Sequence, residues 1–484
     1  MLRLRSAVQF VVVGVLSLAG AACKDIAAPV ATPGDRATAT ISTASAEGQH
    51  RGWTIDHEFA RIAREEIPGF AGYFVDEAGR FTIQLKNPGQ GDRAITAISR
   101  AFARQAARGV PSPDVASARI LQARYDYTEL TQWRDRARHV LGLSGIHSLA
   151  IDDVRNRLQI GIEREADRSR AVAQLAMLGI PSGAVAVEVR ERVVPAIDLP
   201  STQSTVSPQY IAPGDSDGGG GTGGAVKTLE DPYYRPLVGG LRIWWYDDSV
   251  NKYFPCTYGV NVKGRYFTAP QFATAAHCSK IFGFSDATRM YQAELNYGQV
   301  ANGVMIGYER EDPAYSSAPS SQGRPCTTGR CRNSDVALSV LQTFDFEFGK
   351  IAKTQVPHRY EGSKVIAGRF RIVAAYEVPF APPYTGMPLD KVGATTGWTN
   401  GTVSTPCEDV TYEIKGWLYT FFCQTRVSAG AASGDSGAPV FRRGDFDDVY
   451  FYGILTAGTS ASYLFSSYQN ILADEISMSV YQKQ

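Results

Sequence analysis

Between residues 51 and 197 the apolar residues recur with two different periods, and the switching between them predicts a mixed α/β region. Leu130, Trp133, Ala137 and Val140 fall on one side of a 3.6-residue repeat, as do Ala171, Leu175 and Leu178, which predicts two helices. Strict alternation at Phe81, Ile83 and Leu85, at Leu158, Ile160 and Ile162, and at Val185, Val187 and Val189 predicts three strands. The polar run Asp152 to Asn156 is a turn joining one of them to Leu149 and Ile151. The expected unit is a small sheet with helices packed on it.

The pattern then stops. Residues 198–226 are dominated by Pro, Ser, Thr and Gly and end in Asp217-Gly-Gly-Gly-Gly-Thr-Gly-Gly224, which predicts a flexible linker and a domain boundary. Across 227–484, and clearly from Leu237 on, short alternating runs rich in aromatic residues are separated by Gly and Pro turns, and helical spacing returns only at Ser467 to Ser477. This predicts an all-β barrel domain with one C-terminal helix.

The first 50 residues change the picture of where the protein works. Residues 23–50 are rich in Ala, Thr, Ser and Pro and read as a disordered tether. Residues 1–22 read as an export signal: Arg3 and Arg5, then apolar Val8 to Leu18, then small residues Ala19 to Ala22. The apolar stretch is too short to span a bilayer, and no later segment is long and apolar enough, so an exported chain without a transmembrane helix is expected. A length of 484 residues suits two folded units plus tails. Lys and Arg total 49 against 48 Asp and Glu, so no global field would recruit nucleic acid or an anionic membrane.

Export permits disulfides, and the chain has seven cysteines. Six lie in the C-terminal half: Cys256, Cys278, Cys326, Cys331, Cys407 and Cys423. Sequence alone allows fifteen pairings of six. Cys23 stands apart, directly after the small-residue zone, and that arrangement resembles a bacterial lipoprotein signal, although Gly20 stands where Leu is usual. The resemblance implies a lipidated Cys23, membrane attachment, and a place in the outer membrane or on the cell surface. Cleavage after Ala21 or Ala22 instead leaves a secreted protein with a free thiol.

Three segments carry the chemistry. They are Phe272-Ala-Thr-Ala-Ala-His-Cys278, Asn333-Ser-Asp-Val-Ala-Leu-Ser-Val340 and Ala432-Ser-Gly-Asp-Ser-Gly-Ala-Pro-Val440. A serine hydroxyl is a poor nucleophile at neutral pH, so Ser436 needs a base, and the imidazole of His277 suits the role. Asp335 would accept from the other imidazole nitrogen, fixing the tautomer. His358, in Pro357-His-Arg-Tyr360, has no such setting and is expected at the surface. Gly434 and Gly437 flank Asp435-Ser436 and would let the turn aim the amides of Gly434 and Ser436 at one spot, an oxyanion hole. Taken singly, Gly-Asp-Ser-Gly is an acceptable turn and His beside Cys an ordinary core residue. His57-Glu-Phe-Ala-Arg61 lacks the second histidine of a metalloprotease helix and no Cys-x-x-Cys occurs, so neither metal nor cofactor is expected.

In content and order the three segments closely resemble the His, Asp and Ser motifs of the chymotrypsin-like serine proteases. Lys391-Val-Gly-Ala-Thr-Thr-Gly-Trp-Thr399 and Gly453-Ile-Leu-Thr-Ala-Gly458 look like segments of the alpha-lytic protease and streptogrisin branch, and the likeness covers most of 237–484. Residues 50–197 resemble that branch's pro-regions weakly, through Phe70-Ala-Gly-Tyr-Phe-Val-Asp76 and Asn156-Arg-Leu-Gln-Ile160. The resemblance implies two six-stranded antiparallel β-barrels with the active site between them, preceded by an α/β pro-domain (51–197), and peptide-bond hydrolysis through an acyl-enzyme. Proximity and resemblance favour the pairs Cys256–Cys278, Cys326–Cys331 and Cys407–Cys423. By resemblance the specificity pocket has its base near Gly430 and its wall at Thr456 and Gly458; no acid occurs from Val427 to Ala432, so it should be neutral.

Two further expectations follow from the likeness. The N-terminal domain would be an intramolecular partner, a folding aid and inhibitor. Asp435 would be held by an internal basic group, Lys391, in a buried ion pair, because Arg235-Pro236 makes cleavage before Leu237-Val-Gly-Gly240 a poor source of a pairing amine. A solvated surface lysine is the other reading of Lys391. The substrates would be proteins or peptides. An inert protease-like surface binding protein is the rival function; an α/β-hydrolase esterase would need the order Ser, Asp, His and parallel strands.

Overall fold

Two β-α-β units form the skeleton of the N-terminal region. Phe81–Leu85 runs through helix Gly91–Ala106 to Arg119–Gln122, and Arg157–Ile162 through helix Arg168–Met177 to Val185–Val189. In each the two strands pair in parallel, which the intervening helix makes sterically feasible. The computed structural model describes residues 52–198 and 226–480, except 108, 144, 265–268, 293–304, 318–323, 376–381 and 477. The expected signal segment, tether, Cys23 and the glycine run lie outside the described residues.

Helix Tyr127–Ala137 starts on a capping box, with Asp126 accepting from the Glu129 amide and Glu129 from the Asp126 amide. It buries Tyr127, Leu130 and Ala137, and tightens into a 3₁₀ turn at Arg138–Val140. The N-terminal strands do not make the single small sheet expected of them. Phe70–Val75, Phe81–Leu85 and Arg119–Gln122 form a three-stranded sheet, whereas Ile146–Asp152, Arg157–Ile162 and Val185–Val189 continue a much larger one.

From residue 226 on, the described chain is mostly β. Eight strands form one sheet, ordered Lys252–Thr257, Arg242–Asp247, Arg289–Tyr291, Met305–Glu311, Ala337–Leu341, Gln271–Thr274, Val260–Gly264 and Met478–Ser479. In the larger sheet Trp417–Val427, Tyr463–Ser467, Asp448–Gly458, Pro439–Arg443, Pro388–Gly393 and Gly397–Ile414 follow one another, and the last also pairs with the first. Those strands therefore close a circuit. Pairing is mainly antiparallel, with parallel exceptions such as Leu237–Gly239 on Phe346–Thr354 and Ile366–Ala375 on Asp448–Gly458. The expected C-terminal helix is shorter than its pattern, Tyr468–Ala473, capped by Ser467.

The long hairpin Gly397–Ile414/Trp417–Val427 turns at Lys415 and Gly416, both with positive φ (50° and 80°), the geometry that matches strand twist. Its outer edge receives the N-terminal region: Glu408, Asp409 and Val410 pair with Ala150, Leu149 and Ser148. A second contact is aromatic. Tyr384 joins the cluster of Tyr73, Phe81 and Phe102, at 5.8 Å from Tyr73, while the Val75 amide donates to the Thr385 carbonyl. A third is Val194–Pro195, paired antiparallel on Asp448–Gly458. All the described residues belong to one compact unit, Ser45–Gln484.

Candidate active site

His277 follows strand Gln271–Thr274, whose partner strand Ala337–Leu341 begins just after Asp335. Pairing those strands brings together residues that are 58 apart in sequence. His277 Nδ1 lies 2.7 Å from Asp335 Oδ2, and the His277 amide donates to Oδ1 at 3.1 Å. Disulfide Cys256–Cys278 anchors the next residue to strand Lys252–Thr257. On the other imidazole edge, Nε2 lies 2.7 Å from Ser436 Oγ. The three side chains thus form one hydrogen-bonded line, and all three residues are buried.

Asp335 is fixed by more than His277. Its amide donates to Ser466 Oγ, and the Tyr412 hydroxyl donates to Oδ2 at 3.2 Å. Burial, reinforced by the charge of Asp335, pushes the Tyr412 phenol well above its ordinary 10.0, so it stays protonated and donates. Asp474 accepts from the amides and side chains of Asn333 and Ser334, pinning the residues just before Asp335.

The Ser436 turn depends on two glycines with positive φ, 94° at Gly434 and 93° at Gly437. A Cβ on Gly434 would meet Arg242 Nη1 at 2.3 Å, and one on Gly437 would meet Thr257 O at 2.3 Å, so both conformation and space require glycine. Thr257 clasps the turn: its amide donates to the Ser436 carbonyl and its hydroxyl to the Gly434 carbonyl.

Asp435 points the other way, into a closed polar pocket. Lys391 Nζ donates to Oδ2 at 3.2 Å, and Lys391 and Asp435 are both fully buried. Thr396 Oγ1 and the amides of Thr395, Thr396 and Ala432 complete the shell. Burial works against the charge on Asp435, but Lys391 and these donors outweigh it and hold the carboxyl below its usual range.

Gly430 sits against Arg359 and Tyr360, where a Cβ would come within 2.6 Å of the Tyr360 carbonyl. Thr456 and Gly458 lie on Asp448–Gly458, the strand that receives Val194–Pro195. His358 is exposed. The remaining disulfides are Cys326–Cys331 and Cys407–Cys423. Among the described residues, three potential metal ligands converge at Asp56, Cys407 and Cys423, but the disulfide leaves no thiolate there. No described helix is long and apolar enough to cross a membrane.

Sequence reasoning missed Tyr412, Thr396, Ser466, Asp474 and the Val194–Pro195 pairing. Tyr412 alternates with Val410 and Ile414, a pattern that reads as core, and Thr396 lies inside the segment Lys391 to Thr399 with nothing local to mark its role.

No protein-family model matches the chain, and no curated protein matches it. Solved structures similar to half of the chain include Protease A of Thermobifida fusca, with 19% identity, 98% of that chain covered and a TM-score of 0.32. They also include a glutamic acid specific serine protease, with 20% identity, 100% covered and 0.32, and the chymotrypsin of Cellulomonas bogoriensis, with 18%, 98% and 0.30.

Proposed function

We propose that this chain is an exported serine endopeptidase with His277, Asp335 and Ser436 as its catalytic triad. The observation that carries the reading is the unbroken line Asp335–His277–Ser436, with both links 2.7 Å long. Ser436 Oγ attacks the scissile carbonyl carbon while His277 Nε2 takes its proton. Asp335 holds the ring and stabilises the imidazolium. The amides of Gly434 and Ser436 receive the oxyanion, a contribution worth roughly 100-fold or more in turnover per donor. His277 then protonates the departing amine, and water resolves the acyl-enzyme.

The closed circuit of strands around Ser436 supports one β-barrel, and the eight-stranded sheet that carries His277 and Asp335 supports a second. Residues 51–197 act as a pro-domain, in keeping with their strand pairing, aromatic and ion-pair contacts on the C-terminal half. Three disulfides support export. Lipidation of Cys23 would add membrane attachment. The neutral stretch Val427 to Ala432 favours apolar or small residues before the cleaved bond.

The test is covalent capture by a fluorophosphonate probe, alongside peptide hydrolysis by the purified protein. Labelling at Ser436, with both labelling and hydrolysis lost in Ser436→Ala, is expected. A folded chain that neither labels nor hydrolyses would favour the inert surface binding protein instead.

A further inference from the structure

Arg242 and Thr257 stand opposite each other in the ladder of Arg242–Asp247 on Lys252–Thr257, and both attend the turn that carries Ser436. Thr257 is bonded to it directly, through the Gly434 carbonyl. Arg242 reaches the same glycine with its side chain: a Cβ on Gly434 would meet Arg242 Nη1 at 2.3 Å and Thr395 Oγ1 at 2.6 Å. Arg242 Nη2 donates to Thr395 Oγ1 at 3.0 Å and to Glu230 Oε1 at 2.8 Å, and Thr395 Oγ1 donates in turn to the Ser433 carbonyl at 2.5 Å. A continuous file, Glu230 to Arg242 to Thr395 to Ser433, thus ends on the peptide before Gly434. Arg242 is 8% exposed and Thr395 6%, so water competes little for the inner bonds, whereas Glu230 is partly exposed and shared with Lys364.

Chemistry fixes the direction of each bond in the file. A guanidinium carries donors only, so Thr395 Oγ1 accepts from Arg242, and its one hydrogen is left for the Ser433 carbonyl. The Ser433–Gly434 peptide is trans, and in a planar trans peptide the C=O and the N–H point opposite ways. Anchoring the Ser433 oxygen on Thr395 therefore turns the Gly434 N–H away from Thr395, and among the described residues that N–H donates to nothing. Gly434 needs such an anchor. With φ at 94° and no side chain, its backbone is free to take other conformations, and a rotated peptide would present an oxygen where the N–H should be. The charge of Arg242 also polarises the bonds behind it, which makes the Gly434 N–H a stronger donor.

We propose, resting on the protease reading above, that Arg242 and Thr395 are positioning residues, with Glu230 holding Arg242 in place: they fix the Ser433–Gly434 peptide so that its N–H meets the oxygen that becomes negative when Ser436 attacks. They act through Ser433 and not on the substrate. Their effect falls on the transition state, because a carbonyl in the ground state draws less from the Gly434 N–H than an oxyanion does. Lys391 holds Asp435, the residue after Gly434, and Thr395 under Arg242 holds Ser433, the residue before it, so the oxyanion donor is braced through both neighbours. Thr395 serves both braces, since its own amide donates to Asp435 Oδ1.

The experiment measures hydrolysis of a peptide anilide that the parent chain cleaves, together with inhibition by the matching peptide aldehyde, whose hemiacetal oxygen occupies the oxyanion hole. Thr395→Val removes the hydroxyl and keeps the shape. It should lower kcat about 10- to 100-fold with KM within about twofold, and weaken the aldehyde by the same factor. Thr395→Ser keeps the hydroxyl and should stay within about threefold of the parent in kcat. Arg242→Met should fall between the two, and Arg242→Met/Thr395→Val should be no slower than Thr395→Val alone, because the file is already broken. Parental kcat and aldehyde affinity in either Thr395→Val or Arg242→Met, or a double variant slowed by the product of the two single effects, overturns the assignment and leaves the protease reading standing. Should Thr395→Val fail to fold in a thermal melt, the Arg242→Met comparison decides the point by itself. A parent chain that neither labels with fluorophosphonate nor hydrolyses peptides overturns both readings.

Discussion

The hydroxyl of Tyr412 donates to Asp335 Oδ2, the same oxygen that faces His277 Nδ1. Tyr412 belongs to the long hairpin, whereas His277 and Asp335 sit at the ends of paired strands in the other sheet. The phenol thus ties the two halves of the site together through one carboxylate oxygen. Tyr412→Phe keeps the ring, stacked on Phe421 at 4.6 Å, and removes only the donor. One net hydrogen bond of about 1 kcal/mol corresponds to roughly a fivefold fall in kcat, with KM little changed. Steady-state kinetics of the variant would show this, and an unchanged kcat would make Tyr412 a packing residue only.

Lys391→Met isolates the other buried carboxylate. Removing one partner of a buried pair typically costs about 3–5 kcal/mol. Asp435 keeps Thr396 Oγ1 and three backbone amides, so the effect should fall at the low end of that range. Asp435 immediately precedes Ser436, and a shifted Asp435 misaims the amides of Gly434 and Ser436. Turnover should therefore drop strongly while substrate binding changes little. A variant with wild-type kcat would refute the role assigned to Lys391.

How far the sequence could be read follows the range of the forces involved. Leu158, Ile160 and Ile162 announce a strand because alternation is local, and all three are buried. His277, Asp335 and Ser436 announce themselves because nucleophilic chemistry needs a particular short frame around each. Nothing local could show that Ile146–Asp152 pairs with the long hairpin, since an edge strand looks the same whether its neighbour is its own domain or another. Nor could Pro195 be seen facing Ala457: proline reads as a strand breaker until a partner edge is present. Register across large sequence separations is a tertiary property.

Asp153 makes a pH-dependent prediction. Its Oδ2 accepts from Thr385 Oγ1, its Oδ1 has no partner among the described residues, and burial pushes its pKa up to about 7 from 3.8. Asp152 raises it further, whereas Thr385 and Arg134 oppose; the buried phenols of Tyr73 and Tyr127 are also close. The folded chain thus keeps a proton between about pH 4 and 7 that the unfolded chain has released. Stability from this group falls as pH rises through that window and is flat above it, by roughly 4 kcal/mol in all. Asp153→Asn cannot ionise. In thermal melts on the Ser436→Ala background, Asp153→Asn should gain on its parent steadily from pH 4 to 7. A constant difference between the two chains would rule out titration of Asp153.

The attachment of the N-terminal region to the hairpin turns on Arg138. Its Nε donates to Asp409 Oδ2 at 2.6 Å, with Arg138 only 3% exposed and Asp409 fully buried. Burial raises the proton affinity of Asp409, but Arg138 first, then Arg134 and Arg324, outweigh it and hold the carboxyl ionised. Arg138→Met removes the main partner of that charge; because Arg134, Arg324 and the Cys423 amide still face Asp409, the loss should fall at the low end of the about 3–5 kcal/mol typical of a broken buried pair. Because Asp409 lies on the hairpin edge that the N-terminal region covers, the loss should weaken docking and leave the C-terminal half folded. Amides of Ile146–Asp152 should then exchange with solvent faster than in the parent chain, while those of Trp417–Val427 change little. Asp409→Asn removes the charge that has lost its main partner, so the Arg138→Met/Asp409→Asn pair should protect those amides better than Arg138→Met alone. Simple additivity of the two changes would mean that Arg138 and Asp409 are not coupled, and that docking is carried by the strand pairing of Glu408 to Val410 and the Tyr384 cluster.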